Sequence, residues 1–264
     1  MIGHTVKGNF AYNKNTQRFM DEAQKTADYA YRYRSTGYSI GQCFGYKIDY
    51  SNGNGYINTQ EELDNALATY QVGGTPRLGD FLYVDINEDG VIDEKDQAPI
   101  KYSDIPRITY GFSGSVNWKN FDFSFLFSGI AKASRVYTGW GATEFGLVGF
   151  YSDYHLQAWT AERYANGEEI KYPALASSPG TSQKANDFFI MDRSFLRLKN
   201  IELGYTLPKK LLKKVGINST RVYVNGNNLL TWKAMKTDAI DPEQSAELNY
   251  PITKMMNFGI NVTF

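Results

Sequence analysis

Four stretches of the chain alternate apolar and polar residues with a period of two, the spacing of a strand whose successive side chains face opposite ways. From Ile108 to Trp118 the residues Ile108, Tyr110, Phe112, Gly114, Val116 and Trp118 fall on one side. Thr109, Gly111, Ser113, Ser115 and Asn117 fall on the other. The phase resets across Lys119 and Asn120, after which Phe121, Phe123, Phe125 and Phe127 oppose Asp122, Ser124 and Ser128. Two alternating runs joined by a two-residue polar link predict a β-hairpin. Between Arg221 and Trp232, Val222, Val224, Leu230 and Trp232 oppose Arg221, Tyr223, Asn225 and Asn227. The last run sets Phe258, Ile260, Val262 and Phe264 against Asn257, Gly259, Asn261 and Thr263. Residues 195–207 read as a fifth strand whose phase changes near Asn200, which leaves its register open. Weaker strand candidates at 6–12, 44–50 and 80–84 bring the count to about eight.

Alternation alone fits a soluble sandwich as well as a membrane barrel, since both wet one face. Length separates them. Runs of about ten to thirteen residues exceed the usual globular strand and match the ~9–11 residues that cross a bilayer. The connections sort in the same sense. Lys119-Asn120 and 208–218 are short, whereas 134–192 and 233–253 are long. Outer-membrane barrels keep short turns on the periplasmic side and longer loops outside. If Phe264 ends on the periplasmic side, parity places both long connections outside.

Composition agrees with this reading. The chain has 264 residues, 15% of them aromatic, with 24 Gly. Its mean hydropathy of -0.45 is low, and no apolar run approaches the ~18 residues of a membrane helix. Such a chain suits an all-β protein in which only alternate residues meet lipid. The 28 basic residues balance 28 acidic ones, which argues against a nucleic-acid partner. The single cysteine, Cys43, can form neither an internal disulfide nor a thiolate cluster. The first residues show no basic and apolar secretory signal, so an exported location is not expected from the N-terminus itself.

Three short helices are expected in the connections. Thr59-Gln60-Glu61-Glu62 is a capping box ahead of Leu63, Ala66, Leu67 and Tyr70 at helical spacing. Residues 154–164 hold a second, and 208–216, with Pro208 at its start and Gly216 at its stop, frames a third. The four lysines of that last segment read as a solvated face.

The strongest local chemistry is the acidic loop 85–96. Calcium takes six or more oxygen ligands, and a tight loop supplies them from alternating positions. Asp85, Asn87 and Asp89 fill positions 1, 3 and 5, and Val91 offers its carbonyl at 7. Asp93 and Asp96 fill 9 and 12, Gly90 permits the turn, and Ile92 supplies the apolar plug. Position 12 is Asp where a standard EF-hand has Glu, so its reach is shorter. Strands rather than helices flank the loop, which makes a structural brace the expected role; an acidic turn without metal is the plainer alternative. No catalytic constellation stands out, so an enzyme is not expected. Gly111-Phe112-Ser113-Gly114-Ser115 lacks the second glycine of a nucleophile elbow, and Gly139-Trp140-Gly141 lacks the context of a dinucleotide site. Asn218-Ser219-Thr220 matches a glycosylation sequon in a setting that adds nothing to it.

Several segments along the chain form an ordered set of motifs. The acidic loop with its lead-in, Gly79-Asp80-Phe81-Leu82-Tyr83-Val84-Asp85, is one. Ile105-Pro106-Arg107-Ile108-Thr109-Tyr110-Gly111-Phe112 is another, and Phe195-Leu196-Arg197-Leu198-Lys199-Asn200-Ile201-Glu202-Leu203-Gly204-Tyr205 a third. Arg221-Val222-Tyr223-Val224-Asn225-Gly226-Asn227-Asn228-Leu229, Asp241-Pro242-Glu243, Tyr250-Pro251 and the ending Asn261-Val262-Thr263-Phe264 follow. In content and order these segments resemble the SusC/RagA family of TonB-dependent transporters. Glu88 stands where the family usually has Gly, and Ala239-Ile240 where a Gly-aromatic pair is common. The resemblance implies the C-terminal part of a large plugged barrel in the outer membrane, in contact with lipid. Such a barrel imports oligosaccharides or peptides with a SusD-type surface lipoprotein as lid and TonB as energy source. It also implies that the plug domain is absent from residues 1–264, which taken alone form an open, curved antiparallel sheet. Two other readings remain: a surface glycan-binding module using Trp140, Phe145, Tyr151 and Tyr154, and a soluble β-sandwich enzyme.

Overall fold

A computed structural model describes residues 2–138, 143–144, 151, 153–178, 180–212, 216–244, 250 and 252–264. Six strands form one antiparallel sheet: β1 (Ile2–Tyr12), β4 (Ile108–Trp118), β5 (Phe121–Ala131), β8 (Phe195–Thr206), β9 (Ser219–Lys233) and β10 (Met255–Thr263). Their order is β1-β4-β5-β8-β9-β10. The sheet does not close on itself, so β1 and β10 are its outer edges. This is the open all-β sheet expected from the alternation.

The expected hairpin is present. Trp118 pairs with Phe121 across Lys119-Asn120, and Lys119 takes the left-handed φ of 54° that a tight link needs. The phase change near Asn200 is a bulge. Leu198 pairs with Leu230 and Asn200 with Asn227, so Lys199 faces two residues, Asn228 and Leu229. Asn228 absorbs the irregularity at φ 55°. The extra residue resets the alternation, so Asn200 and Glu202 stay on the polar face.

Two of the weaker strand expectations are corrected. Only Gln42–Gly45 of the second candidate is a strand (β2), and it pairs with β3 (Ala98–Ser103) in a separate two-stranded sheet. Residues 80–84 make only isolated bridges, Phe81 to Tyr56 and Tyr83 to Ile48. Their alternating aromatics are buried in a loop core, where the same period serves packing. Another two-stranded piece joins β6 (Ser134–Val136) to β7 (Ile190–Asp192).

Helix α1 (Gln60–Thr69) has the expected capping box, with Glu62 N–H donating to the Thr59 hydroxyl and Glu62 accepting from Thr59 N–H. The second expected helix is broken into a 3-10 turn (Asp153–Gln157) and α2 (Ala161–Ala165), which Thr160 caps. Helix α3 (Lys209–Leu212) follows Pro208; the rest of that expected helix, 213–215, lies outside the described residues.

The connections 13–107, 132–194 and 234–254 all leave the same end of the six-stranded sheet, while 119–120 and 207–218 turn at the other. The principal hydrophobic core lies in the long connections. It gathers Tyr46, Ile48, Tyr56, Phe81, Tyr83, Ile92, Trp159, Tyr172 and Phe189. The molecule thus has two parts, an open sheet and a packed loop layer at one end of it.

Candidate functional site

Cross-strand pairs share a face of a sheet, so the register assigns every residue of the wall. One row runs Thr5, Ser115, Ser124, Glu202, Asn225, Asn257 across all six strands. The adjacent row on the other face runs His4, Val116, Phe123, Leu203, Val224, Phe258. Five of its six members are apolar, and the exception stands on an edge strand. Glycines let the large side chains lie flat: the Phe125 ring lies against Gly114 and the Tyr223 ring against Gly259, where a Cβ would collide with ring atoms at 2.7 and 2.3 Å.

The apolar face is uncovered. Phe258 is 81% exposed and Val6 78%, and Phe10, Trp118, Phe121, Leu203, Trp232 and Ile260 are exposed beside them. Water does not tolerate a continuous apolar surface of this extent on a monomer, whereas lipid requires one. The Trp and Tyr residues of this face stand at its two ends, with Phe alone among the aromatics between them. Trp118, Phe121 and Tyr205 are aligned near the short turns, and Phe10, Tyr110 and Trp232 near the long connections. Rings at two levels are the interfacial girdles of a membrane-spanning sheet.

The opposite face carries charges that satisfy one another. Arg221 pairs with Asp122 and, at 2.6 Å, with Glu202. Asn257 donates to Asn225 at 2.9 Å, and Asn225 donates to Glu202. Farther along, Arg197 is almost wholly buried and holds Asp241 at 2.6 Å and Glu243 at 2.7 Å. Lys199 also meets Glu243 at 2.8 Å. Asp-Pro-Glu of the third connection is thereby fastened to β8.

Buried polar groups tie the first two connections together. Asp80, fully buried, accepts from Arg77 N–H and from the Thr181 and Ser182 hydroxyls. Burial holds its carboxyl above the ordinary value despite those donors. Glu144, also buried, accepts from the Tyr172 hydroxyl, Ala176 N–H and the Gln183 amide. Asp104 takes a two-pronged bond from Arg135 at 2.8 and 2.7 Å and a third from Arg193 at 2.6 Å. The Arg135 and Arg193 positions carry no sequence signal, because their partners are 31 and 89 residues away. Burial pushes the Cys43 thiol up to about 11, so it is an inert core residue.

A cavity of about 610 Å³ opens where the three connections meet, with Tyr50, Tyr56, Phe81, Phe188, Lys171 and Lys236 in its wall. Of the aromatic residues singled out from sequence for ligand stacking, Tyr151 alone is described with its side chain. Tyr151 is exposed and packs edge-on against His155. Trp140 and Phe145 lie outside the described residues, as does the side chain of Tyr154.

The acidic loop 85–96 is ordered by its own side chains. Asp85 accepts from Glu88 and Gly90 N–H, Asn87 from Asp89 N–H, and Asp89 from Val91 N–H. Gly90 and Glu88 turn the chain at φ 82° and 60°. Asp96 is buried and reaches back to Ile86 N–H at 2.8 Å, and its other oxygen accepts from Asp93 N–H at 2.9 Å. Position 12 therefore lies against the start of the loop. Among the described residues no three Asp, Glu, His or Cys side chains are gathered as a ready metal cluster. The Lys95 ammonium instead stands 2.8 Å from Asp28, 3.8 Å from Asp89 and 3.7 Å from Asp93.

The sheet, its girdles and its one-sided loop layer define a segment of membrane β-barrel wall. No family model matches the chain, but individual proteins do. It is 30% identical over 227 residues to TonB-dependent receptor P26 of Formosa agariphila, covering 80% of this chain and 22% of that one. TonB-dependent receptor P3 of the same organism is 28% identical over 86% of this chain and 22% of its own. TonB-dependent receptor SusC of Bacteroides thetaiotaomicron is 26% identical over 83% of this chain and 20% of its own. Among solved structures, the RagAB peptide transporter superposes with a TM-score of 0.66 at 23% identity, covering the whole chain and 27% of that one. The closed form of the RagAB peptide importer gives 0.64. At that identity the structural likeness speaks for the fold. The chain is thus the counterpart of one part of a SusC/RagA-type TonB-dependent receptor, and spans about a fifth of the length of the curated relatives it matches. Those relatives are named as receptors and transporters, not as enzymes.

Proposed function

We propose that this chain forms part of the wall and the outer loop layer of an outer-membrane nutrient importer. In this reading the apolar face meets lipid, the polar face lines the lumen, and the three long connections stand outside the cell. A SusD-type lipoprotein closes over the loop layer, TonB supplies the energy, and the cargo is an oligosaccharide or a peptide. The observation that carries the proposal is the uncovered apolar face with aromatic rings at both ends. A surface glycan-binding module without transport would have no use for such a face.

Import requires a closed barrel. The outer edges, β1 and β10, present unpaired backbone groups, each costing several kcal/mol in order of magnitude in hydrocarbon. The 264-residue sheet therefore works only when joined to further strands. Liposomes containing this chain alone should show no solute-specific uptake and no discrete conductance. A receptor carrying it within a closed barrel should show heat-modifiable mobility and TonB-dependent uptake. Transport by the isolated chain would contradict the proposal.

We further propose that loop 85–96 is a calcium brace. Its donors, the side chains of Asp85, Asn87, Asp89, Asp93 and Asp96 and the Val91 carbonyl, are the hard oxygens that calcium takes. Bound calcium would neutralise the loop's acidic groups, the role that Lys95 fills in part. Calorimetry should show binding that Asp85→Ala and Asp89→Ala abolish and that Lys95→Met strengthens. Unchanged heats in the two Asp variants would refute the ligand set.

A further inference from the structure

We infer that the cavity between the three connections binds an anionic oligosaccharide, its sugar rings against Tyr50 and Phe188 and its acid groups on Lys236 and Lys171. This deepens the importer reading and rests on it. A volume of about 610 Å³ suits a ligand of a few sugar units, within the usual range of small-molecule sites. One wall is a bank of rings: Tyr56 stacks on Phe81 at 5.2 Å and 21°, and Phe188 lies 5.2 Å from Phe81. Tyr50 leaves about half its surface open at the mouth. Ring faces of this kind fit the C–H face of a pyranose.

Charge decides which sugar. The wall contains two lysines and no carboxylate. Lys171 meets Glu169 at 3.0 Å, and Glu169 is mostly exposed. Lys236 has no carboxylate within ion-pair reach among the described residues. The nearby charged groups are Lys101, Asp187 and Asp192. The Lys101 ammonium donates to the Asp187 and Ile190 carbonyls, and the Asp187 carboxyl accepts from Ile48 N–H. Burial first, and Lys236 next, lower the Lys101 pKa, while Asp187 and Asp192 raise it.

The backbone argues against a peptide as occupant. Extended peptides are held through main-chain hydrogen bonds to an open strand edge. Here most of the wall's backbone donors are already used. Gly53 N–H donates to the Tyr50 carbonyl, Asn54 N–H to the Asn52 side chain and Tyr56 N–H to the Asn54 side chain. Phe81 N–H donates to the Ser182 hydroxyl, Lys171 N–H to the Gln157 carbonyl and Phe188 N–H to the Asn186 side chain. The side chains that the wall offers a ligand are chiefly rings and ammonium groups.

The test uses the closed receptor purified in detergent, with calorimetry against four probes. These are tetragalacturonate, a sulfated galactose tetramer, a neutral galactose tetramer and tetraglutamate. One or both acidic sugars should bind at least about tenfold tighter than the neutral tetramer and the peptide. Lys236→Gln should lose about tenfold or more for that sugar, the scale of one charge-assisted hydrogen bond. Lys236→Arg should restore most of it, and Tyr50→Ala should weaken every sugar. Equal affinity for neutral and acidic tetramers, tighter binding of tetraglutamate, or full affinity in Lys236→Gln would each overturn the inference. Heat-modifiable mobility is scored on the same samples. A folded receptor that ignores both acidic sugars sinks the cavity proposal alone, whereas a chain that never enters a barrel sinks the importer reading.

Discussion

The sheet and the loop layer solve the same problem in opposite ways. In the sheet the backbone is paired to neighbouring strands except at the edges and the bulge, while large apolar side chains such as Phe258 and Phe10 stay uncovered. In the loop layer the backbone is irregular, yet Phe81, Tyr172 and Phe189 are almost wholly buried and the carboxylates of Asp80, Asp104 and Glu144 each collect several donors. The sheet leaves its apolar surface for lipid; the loop layer, built for water, hides its own. One chain thus carries two solvents' worth of design, and the boundary falls at the aromatic residues near the long connections.

The contrast predicts that a single charge has very different effects on the two faces of one strand. Ile201→Arg places a cation on the lipid face near the middle of β8 and should destabilise the closed barrel by about 2–4 kcal/mol. Its neighbour Glu202→Gln, on the lumen face, should cost far less. Urea unfolding in vesicles compares the two, and equal losses would erase the distinction between faces. The next largest effect concerns the join between the parts. Arg197→Met leaves Asp241 and Glu243 without their buried partner. Because both carboxylates keep some contact with water, the expected loss is about 2–3 kcal/mol, below that of a fully buried pair. Limited proteolysis should then cut the third connection while β8 stays protected.

The smallest effect is one of acidity. Burial draws the Asp104 carboxyl up, and the bonds from Arg135 and Arg193 more than offset it, leaving the pKa below the ordinary value. A lowered carboxyl contributes its full stability above about pH 4 and loses it as pH falls through the lowered value. Protease resistance of the loop layer should fall over that acid range, and Asp104→Asn should flatten the dependence.

These two parts were unequally legible in the sequence. The sheet was written in period two, so β4, β5, β9 and β10 could be read from alternation, and even the bulge at Lys199 announced itself as a change of phase. Loop sorting followed from counting residues between strands. The loop layer has no such grammar. Phe81 and Tyr83 alternate as a strand does, yet they pack against Tyr56 and Tyr46 in an irregular core. The Asp80–Ser182 and Asp104–Arg193 bonds join residues 102 and 89 positions apart, and no local pattern reports a contact at that separation. Lys236 and Tyr50 share a cavity for the same reason unseen. The acidic loop was legible as a motif because its donors are close in sequence, whereas the position of Lys95 among them depends on the fold.

The central claim, that one face of the sheet meets lipid, is tested most directly by an accessibility scan along β5. Spin labels placed singly at residues 121–131 of the closed receptor in liposomes, with Cys43→Ser as background, report collisions with oxygen from the lipid and with a water-soluble nickel complex. The account predicts a period of two, with Phe121, Phe123, Phe125 and Phe127 open to oxygen and Asp122, Ser124 and Ser128 open to nickel. A scan without that period, or one in which the phenylalanines are reached from water, would contradict it.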